Sequence, residues 1–375
     1  MSRFLVPSAA RSWVEIDLDA LRRNLAEVRS AAAPAGVLAV VKANAYGHGT
    51  EPIVQALTSG VDLFGVANLC EARKVRATGT DRPIMILSPC LPAERAAAAA
   101  GGFIVTVSSA SEALAYAEFG PVQINFKIDT GMGRAGAWWQ NAAAELQAVT
   151  RLRGLSIHSL STHLPVSDED VAFTEEQLRS FGELLEELRP LAPGARVHVL
   201  NSAGIFRFGS FQSDIVRAGL VLYGAAVLPD VQDRLSPVLT WKARVTLVHD
   251  LPAGASVSYG RTFVAEKPIR TALLGIGYAD GFPRQASNRG AHVLVNSTRC
   301  PVIGRVTMDQ IVVDVSGAGP VAPGDEAVII GRQGNQEIAV HELAGAAGTI
   351  AWDIFTGIKD RVTRLYSTEP SLPPG

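Results

Sequence analysis

Cysteine is scarce in this chain: Cys70, Cys90 and Cys300 are the only three, and none lies near another. An odd set without a close pair supplies neither a disulfide framework nor metal-ligand spacing. It reads as the reduced thiols of a cytoplasmic protein. Long apolar runs are also missing. The longest charge-free stretch, Ala96 to Val107, is too short to span a bilayer and contains Gly101-Gly102. The N-terminal residues, Met1 to Trp13, hold a short apolar run broken by Pro7, which does not read as a signal peptide. Net charge is small: 34 Lys and Arg stand against 36 Asp and Glu, scattered singly, for a formal charge of -2. That pattern excludes a nucleic-acid groove and an anionic membrane surface as partners. No Gly-x-Gly-x-x-Gly follows the first strand, and there is no His-Glu-x-x-His, P-loop or Gly-x-Ser-x-Gly elbow. Dinucleotide, zinc-protease, nucleotide-hydrolase and serine-hydrolase readings lose their motifs, and no metal is assigned.

The chain of 375 residues is 47% hydrophobic and 19% charged, enough to build a sizeable core and longer than one average domain. The first alternating stretch, Trp13 to Leu18, reads as a strand, with Asp19 as the expected cap of a helix whose apolar face is Leu21, Leu25 and Val28. From Gly36 a unit repeats: a glycine that can end a helix, a short apolar strand, then a helical segment. The expected strands are Val37–Val41, Val61–Val66, Ile84–Leu87, Phe103–Val107, Val122–Ile128, Leu155–Ser161, Val197–Leu200 and Asp214–Arg217. The clearest helix runs from Thr174 to Leu188, with a Thr174…Gln177 capping box. Eight alternating β and α units predict an α/β fold, a (β/α)8 TIM-type barrel, with a doubly wound open sheet as the structural alternative.

After Tyr223 the texture changes. From Leu239 to Ile330 residues are β-branched and alternating, with turns at Pro252-Ala253-Gly254, Asp280-Gly281 and Pro323-Gly324. A helical stretch near His341 to Ile358 precedes a last strand, Arg361 to Tyr366. The expected domains are therefore a barrel over residues 1–236 and a mostly β domain over 237–375. The strand at 12–18 lies outside the barrel count and is a candidate to pair with the second domain.

In such barrels ligand-binding groups gather where strands end. Lys42 closes the first barrel strand in Val41-Lys42-Ala43-Asn44-Ala45-Tyr46-Gly47-His48-Gly49. A desolvated lysine there favours the neutral amine that attacks carbonyls, although a lysine snorkelling at a barrel rim fits the same pattern. Other strand ends supply Lys127 with Arg134, then His163, then Asn201-Ser202, then Arg217 with Gly219. Each alone has an ordinary explanation: a solvated turn, a structural histidine, an N-cap. A lysine, a histidine, two arginines and a Ser/Gly pair suited to phosphate, all at strand ends, are hard to explain as packing. Tyr46 offers a hydroxyl on the same turn. In the second domain Val257-Ser258-Tyr259-Gly260-Arg261 and Gly277-Tyr278-Ala279-Asp280-Gly281 set tyrosines beside glycines.

Together these motifs, with Met308-Asp309-Gln310, resemble the alanine racemase family from about Trp13 to Tyr366. The resemblance implies pyridoxal 5'-phosphate held by Lys42 as a Schiff base. It places Tyr46, Ser202, Gly219 and Tyr366 on the phosphate, with Asn201 beside them. It sets Arg217 toward the pyridine nitrogen, His163 on the ring face and Arg134 at the ring's phenolic oxygen. Lys42 and Tyr259, the latter from a partner subunit, are the implied acid/base pair in a head-to-tail homodimer. The Met308 amide meets the substrate carboxylate, and Tyr278 and Arg305 line the route in. Lys127 matches a lysine that is carbamylated in some members. The implied activity is interconversion of L- and D-alanine in the cytoplasm, supplying D-alanine for peptidoglycan. One departure is visible, Thr307, where many members have cysteine. Arg217 carries a mechanistic inference of its own, because a guanidinium keeps its protons, whereas a carboxylate there would argue for a transaminase or decarboxylase. The alternatives are another pyridoxal-phosphate barrel enzyme, a carrier of the cofactor without turnover, and a racemase of other small or more varied amino acids.

Overall fold

The computed structural model describes residues 4–367. The chain divides into two compact units, residues 21–45 with 50–236, and residues 4–20 and 46–49 with 237–367.

In the first unit eight parallel strands follow one another in register: Gly36–Val40, Leu63–Val66, Ile84–Ile86, Ile104–Val107, Val122–Asp129, Leu155–Ser161, Arg196–His198 and Ile215–Ala218. The last pairs with the first, Val216 opposite Val37 and Arg217 opposite Leu38. Between the seventh and eighth, Asp214 N donates to Val197 O at 2.8 Å and Arg217 N to Leu200 O at 2.9 Å, so the ring is nearly closed. Strands covered on both faces must be apolar almost throughout, and Val37, Leu38, Phe64, Met85, Val105, Phe126 and Leu160 are fully buried. Truncating one of the larger ones, Phe126, to alanine would cost about 3–5 kcal/mol.

Strand ends sit within two residues of the sequence expectation, as hydrogen-bonded ends commonly do. Two helix caps differ from the sequence expectation. The helix expected from Thr174 begins at Val171, because Asp170 accepts from Phe173 N at 2.9 Å and the Thr174 hydroxyl donates to the Asp170 carbonyl at 2.7 Å. Gln177, freed from capping, donates instead to Thr130 Oγ1 at 2.8 Å and to the His163 carbonyl at 3.1 Å. The helix Leu18–Ala32 is likewise opened by Asp17, whose Oδ1 accepts from the amides of Asp19 and Ala20, so Asp19 is not the cap.

The second unit is built on a nine-stranded sheet. Leu239–Leu251 pairs with both Ile269–Leu274 and Glu326–Gln333, which closes a ring through His292–Val295, Thr298–Ile303 and Ile311–Asp314. Ser12–Ile16 joins this sheet, antiparallel to Leu239–Leu251 and parallel to Thr363–Tyr366. The helical stretch near its end is two helices, Val340–Ala347 and Ala351–Gly357, parted where Gly348 adopts φ 69°. No helix among the described residues is long and apolar enough to cross a membrane.

Candidate active site

The strand Gly36–Val40 delivers Lys42, and the chain then turns in an uncommon way. Ala43, Asn44, Ala45 and Tyr46 all have φ between 51° and 54°, a left-handed turn built without glycine. Each such residue costs roughly 1–2 kcal/mol, so the neighbours must hold it. Glu71 accepts from Ala43 N and from Ala67 N, both at 2.8 Å, and Asn44 Oδ1 accepts from Thr50 N at 3.0 Å. The turn leaves Lys42 within reach of the charges of Arg134 and Glu71. Its side chain is exposed, where a desolvated lysine was expected from the sequence. Enough protein still surrounds the amine to lower its pKa, by partial burial first and by the charge of Arg134 second, against the opposing pull of Glu71.

The loop after the fifth strand is organised by one carboxylate. Asp129 accepts backbone N–H groups from Gly131, Met132, Gly133 and Arg134 at 2.8 to 3.1 Å. Burial raises its pKa, and these four donors outweigh that and hold the carboxyl ionised, below its usual value. A solvated hinge would not bind its amides this way. The loop presents Arg134 while Lys127, two residues before the carboxylate, stays largely enclosed. Burial, then the charges of Arg217 and Arg134, bring Lys127 down to about 7.

Arg217 lies on the eighth strand, only 7% exposed, and among the described residues its guanidinium bonds carbonyls and imidazoles rather than a carboxylate. Its guanidinium donates from Nη1 to the carbonyl and Nδ1 of His198 at 2.7 and 2.8 Å, while the two Nη2 hydrogens are shared among the carbonyls of Val199 and Thr162 and His163 Nδ1 at 2.7, 2.8 and 3.0 Å. Burial and Arg134 lower it to about 10, which leaves it charged at neutral pH. Burial, followed by the charges of Arg217, Lys127, Arg134 and Lys42, pushes His163 down to about 2. His163 is therefore a neutral imidazole that accepts from Arg217.

Beside these groups, Gly219 N donates to Ser202 Oγ at 3.1 Å, and Asn201 caps the helix Ser202–Phe208 through Gly204 N at 3.0 Å. Thus Lys42, Lys127, Arg134, His163, Asn201, Ser202, Arg217 and Gly219 all belong to the barrel unit. The five charged or titratable members, Lys42, Lys127, Arg134, His163 and Arg217, perturb one another and form one electrostatic cluster. Its excess of cations calls for an anion.

His198 has no ligand spacing in the sequence and falls inside the expected strand Val197–Leu200, so nothing there singles it out. The strand ends at His198 itself, so the strand-end rule with the correct boundary would have found it. Glu71 carried no signal beyond its place early in a helix.

The remaining candidates belong to the other unit. The Tyr366 hydroxyl donates to the His48 carbonyl at 2.9 Å, and a Cβ on Gly49 would lie 2.0 Å from that hydroxyl, so only glycine fits. Tyr46 is buried, which pushes its phenol above the usual tyrosine value. Tyr278 N donates to Thr307 O at 3.0 Å and Ala279 N to Met308 O at 2.9 Å, while Gly277 lies so close that a Cβ would meet both carbonyls at 2.4 Å. Thr307 closes its own turn: its hydroxyl donates to Gln310 O at 2.8 Å and accepts from Gln310 N at 3.2 Å. A cysteine thiol would do this more weakly. Ser258 Oγ donates to Arg305 O at 2.6 Å, tying the Tyr259 segment to the same region. Tyr259 is 71% exposed and Met308 52%. These groups face solvent in the single chain.

Fold and cluster together define a class: a (β/α)8-barrel protein followed by a β domain, with a cationic, amine-bearing site at the carboxyl ends of the barrel strands. The chain belongs to the alanine racemase family. Residues 16–227 match the alanine racemase N-terminal domain and residues 238–366 the C-terminal domain. It is 40% identical over 367 residues to the alanine racemase of Methylacidiphilum infernorum, covering 96% of this chain and 94% of that protein. It is also 40% identical to that of Carboxydothermus hydrogenoformans, covering 94% and 99%. Among solved structures, alanine racemase from Bacillus anthracis with bound L-Ala-P aligns with a TM-score of 0.89 at 31% identity, covering 97% of both chains. Alanine racemase from a D-cycloserine-producing Streptomyces lavendulae aligns at 0.87 and 34%, covering 96% and 98%.

Proposed function

We propose that this chain interconverts L- and D-alanine using pyridoxal 5'-phosphate bound in the barrel. The observation that carries the reading is the pairing of an amine of lowered pKa, Lys42, with a buried guanidinium, Arg217, that bonds no carboxylate among the described residues. The donor set suits the cofactor: a reactive amine, the Ser202 hydroxyl beside the Gly219 amide, and a local excess of positive charge for a phosphate. Tyr46 and Tyr366 are the further phosphate ligands in this reading, and Asn201 fixes the turn that presents Ser202. When bound, the cofactor supplies the electron sink that lets the substrate Cα–H leave as a proton.

The protein's own part is to hold and move that proton. Lys42, with its pKa lowered, exchanges a proton at Cα on one face, that of the D-enantiomer. Tyr259 of the partner subunit does so on the other, in a head-to-tail homodimer whose two sites each draw on both chains. Its exposure in the single chain suits a residue completed by a partner. Arg217 keeps its protons and so weakens the sink, which favours prompt return of the proton to Cα over side reactions. Arg134 and the Met308 amide orient the substrate, His163 lies against the cofactor as a neutral ring, and Tyr278 narrows the entrance. A carbamate on Lys127 would convert a repelling cation beside Arg134 into an anion that holds it.

Purified protein incubated with single L-amino acids and assayed by chiral chromatography tests the reading. D-alanine should form at least about tenfold faster than any other D-amino acid. Comparable rates with larger side chains would favour the racemase of more varied substrates. Carbon dioxide release without racemisation would overturn both.

A further inference from the structure

Behind Arg217 a chain of buried polar side chains crosses the barrel sideways, from strand to strand. It begins at the Ile86 carbonyl, which accepts from Thr106 Oγ1 at 2.7 Å. Having spent its hydrogen there, the Thr106 oxygen can only accept, and Asn125 Nδ2 donates to it at 3.1 Å. The Asn125 amide is thereby oriented, with Oδ1 facing the opposite way. Ser159 Oγ donates to that oxygen at 3.0 Å, and His198 Nε2 lies 3.1 Å from it and 3.2 Å from Ser159 Oγ, whose own hydrogen is already given to Asn125. On the other side of the imidazole, Arg217 reaches His198 Nδ1 at 2.8 Å. A branch runs from Ser159 Oγ to His158 Nδ1 at 3.1 Å, and His158 Nε2 meets Arg196.

A single arrangement of hydrogens satisfies every member, because each end is a group that cannot reverse. A carbonyl only accepts and a guanidinium only donates. Arg217 therefore requires a lone pair on His198 Nδ1, which puts the hydrogen on Nε2, facing Asn125 Oδ1. By the same logic Arg196 requires a lone pair on His158 Nε2, and the hydrogen on Nδ1 donates to Ser159 Oγ. The two histidines hold opposite tautomers. Thr106, Asn125, Ser159 and His198 are all no more than 2% exposed, so water does not compete for these bonds. Burial, then the charges of Arg217, Lys127, His158 and Arg196, disfavours a proton on His198 beyond the one it has.

We propose that Asn125 is a positioning residue for the reaction: its amide, oriented from the Ile86 carbonyl through Thr106, takes the Nε2–H of His198 and so leaves the Nδ1 lone pair as the seat of Arg217. This rests on the racemase reading for its kinetic consequence, whereas the hydrogen positions do not depend on it. Asparagine suits the place because its neutral oxygen accepts a hydrogen without drawing a second proton onto the ring. Aspartate has the same shape and the opposite effect. Accepting from Ser159 and His198 as the asparagine does, it would stay ionised and favour the His198 cation. Nδ1–H would then point at the Arg217 N–H, donor against donor.

The test is nitrogen-15 NMR of histidine-labelled holoenzyme from pH 7 to 9, with His158→Gln to separate the two signals, alongside racemase kinetics. In the wild type His198 should carry its hydrogen on Nε2 and His158 on Nδ1. In Asn125→Asp both nitrogens of His198 should be protonated. The kcat for alanine should fall about ten- to a hundredfold while KM stays within about threefold, the mark of a group that acts after substrate binds. An unchanged His198 signal in Asn125→Asp with kcat within twofold of wild type would make Asn125 mere packing. Should Asn125→Asp not fold, the wild-type spectrum still decides, since His198 with its hydrogen on Nδ1 would overturn the proposal. An inactive wild type that keeps the stated tautomers would refute the racemase reading and leave the hydrogen-bond assignment standing.

Discussion

Lys127 offers the sharpest quantitative test. Its pKa falls from 10.5 to about 7, through burial first and then Arg217 and Arg134. At pH 7 about half of its amine is therefore neutral, against about one part in a few thousand for an ordinary lysine. Carbon dioxide reacts only with the neutral amine, so the site raises the reactive fraction by about three orders of magnitude. In that reaction the nitrogen lone pair bonds to carbon, the amine loses a proton to solvent, and the product is a carbamate anion. The same shift is a stability statement. The folded-state pKa lies below the unfolded one, so the uncarbamylated lysine costs nothing above about pH 10.5. Its cost grows as pH falls toward 7 and is constant below that. The drop from 10.5 to about 7 corresponds to about 5 kcal/mol at about 1.4 kcal/mol per tenfold change, and screening leaves roughly half. Lys127→Met should therefore gain about 2–3 kcal/mol on wild type between pH 10 and pH 7 in carbon-dioxide-free buffer. Added bicarbonate should erase most of that difference by stabilising only the wild type. Urea midpoints across this pH range, with carbon-13 bicarbonate NMR of the carbamate, give the measurement. A constant difference from pH 10 to 7, or a wild type indifferent to bicarbonate without a carbamate signal, would refute the reasoning.

Further outcomes follow from the same geometry. Lys42→Ala should lose the covalent cofactor and its visible absorbance, and a borohydride-trapped adduct on any other lysine would sink the assignment. Tyr259→Phe should abolish solvent-deuterium exchange into L-alanine while leaving some exchange at Cα of D-alanine; equal, slight slowing of both would make Tyr259 a packing residue. Mixing inactive Lys42→Ala with inactive Tyr259→Phe should restore roughly a quarter of wild-type activity if each dimer site draws on both chains. No recovery despite proven subunit exchange would place each site within one chain. Asp129→Ala removes the acceptor of four backbone amides and should cost about 2–4 kcal/mol, with KM for alanine raised several-fold as Arg134 loses its mooring; unchanged KM would separate that loop from substrate binding.

The sequence by itself determined eight alternating strands and helices, because parallel strands buried on both faces must be apolar runs and the helices between them must carry an apolar stripe. Those are local patterns, legible residue by residue. That the strands close into a barrel and not an open sheet was decided by the pairing of the eighth strand with the first. The sequence also placed Lys42, Lys127, His163 and Arg217 at strand ends, since strand ends are where such runs stop. Caps were less legible: Thr174 and Gln177 fit a capping box by spacing, yet Asp170 won the first amides and Gln177 was drawn to Thr130 and His163. Only the tertiary structure decided how charged the site groups are. Lys127 at about 7 and His163 at about 2 are consequences of cations from different strands converging, and no neighbour in sequence reports that. The left-handed turn after Lys42 was equally hidden, because alanine and asparagine do not announce it and Glu71, from another element, holds it in place. The relay from Ile86 to Arg217 joins six strands through single polar residues, each unremarkable where it stands. Hydrogen-bond direction is a property of the closed ring, fixed by a carbonyl at one end and guanidiniums at the others, and it exists only once the barrel brings those ends together.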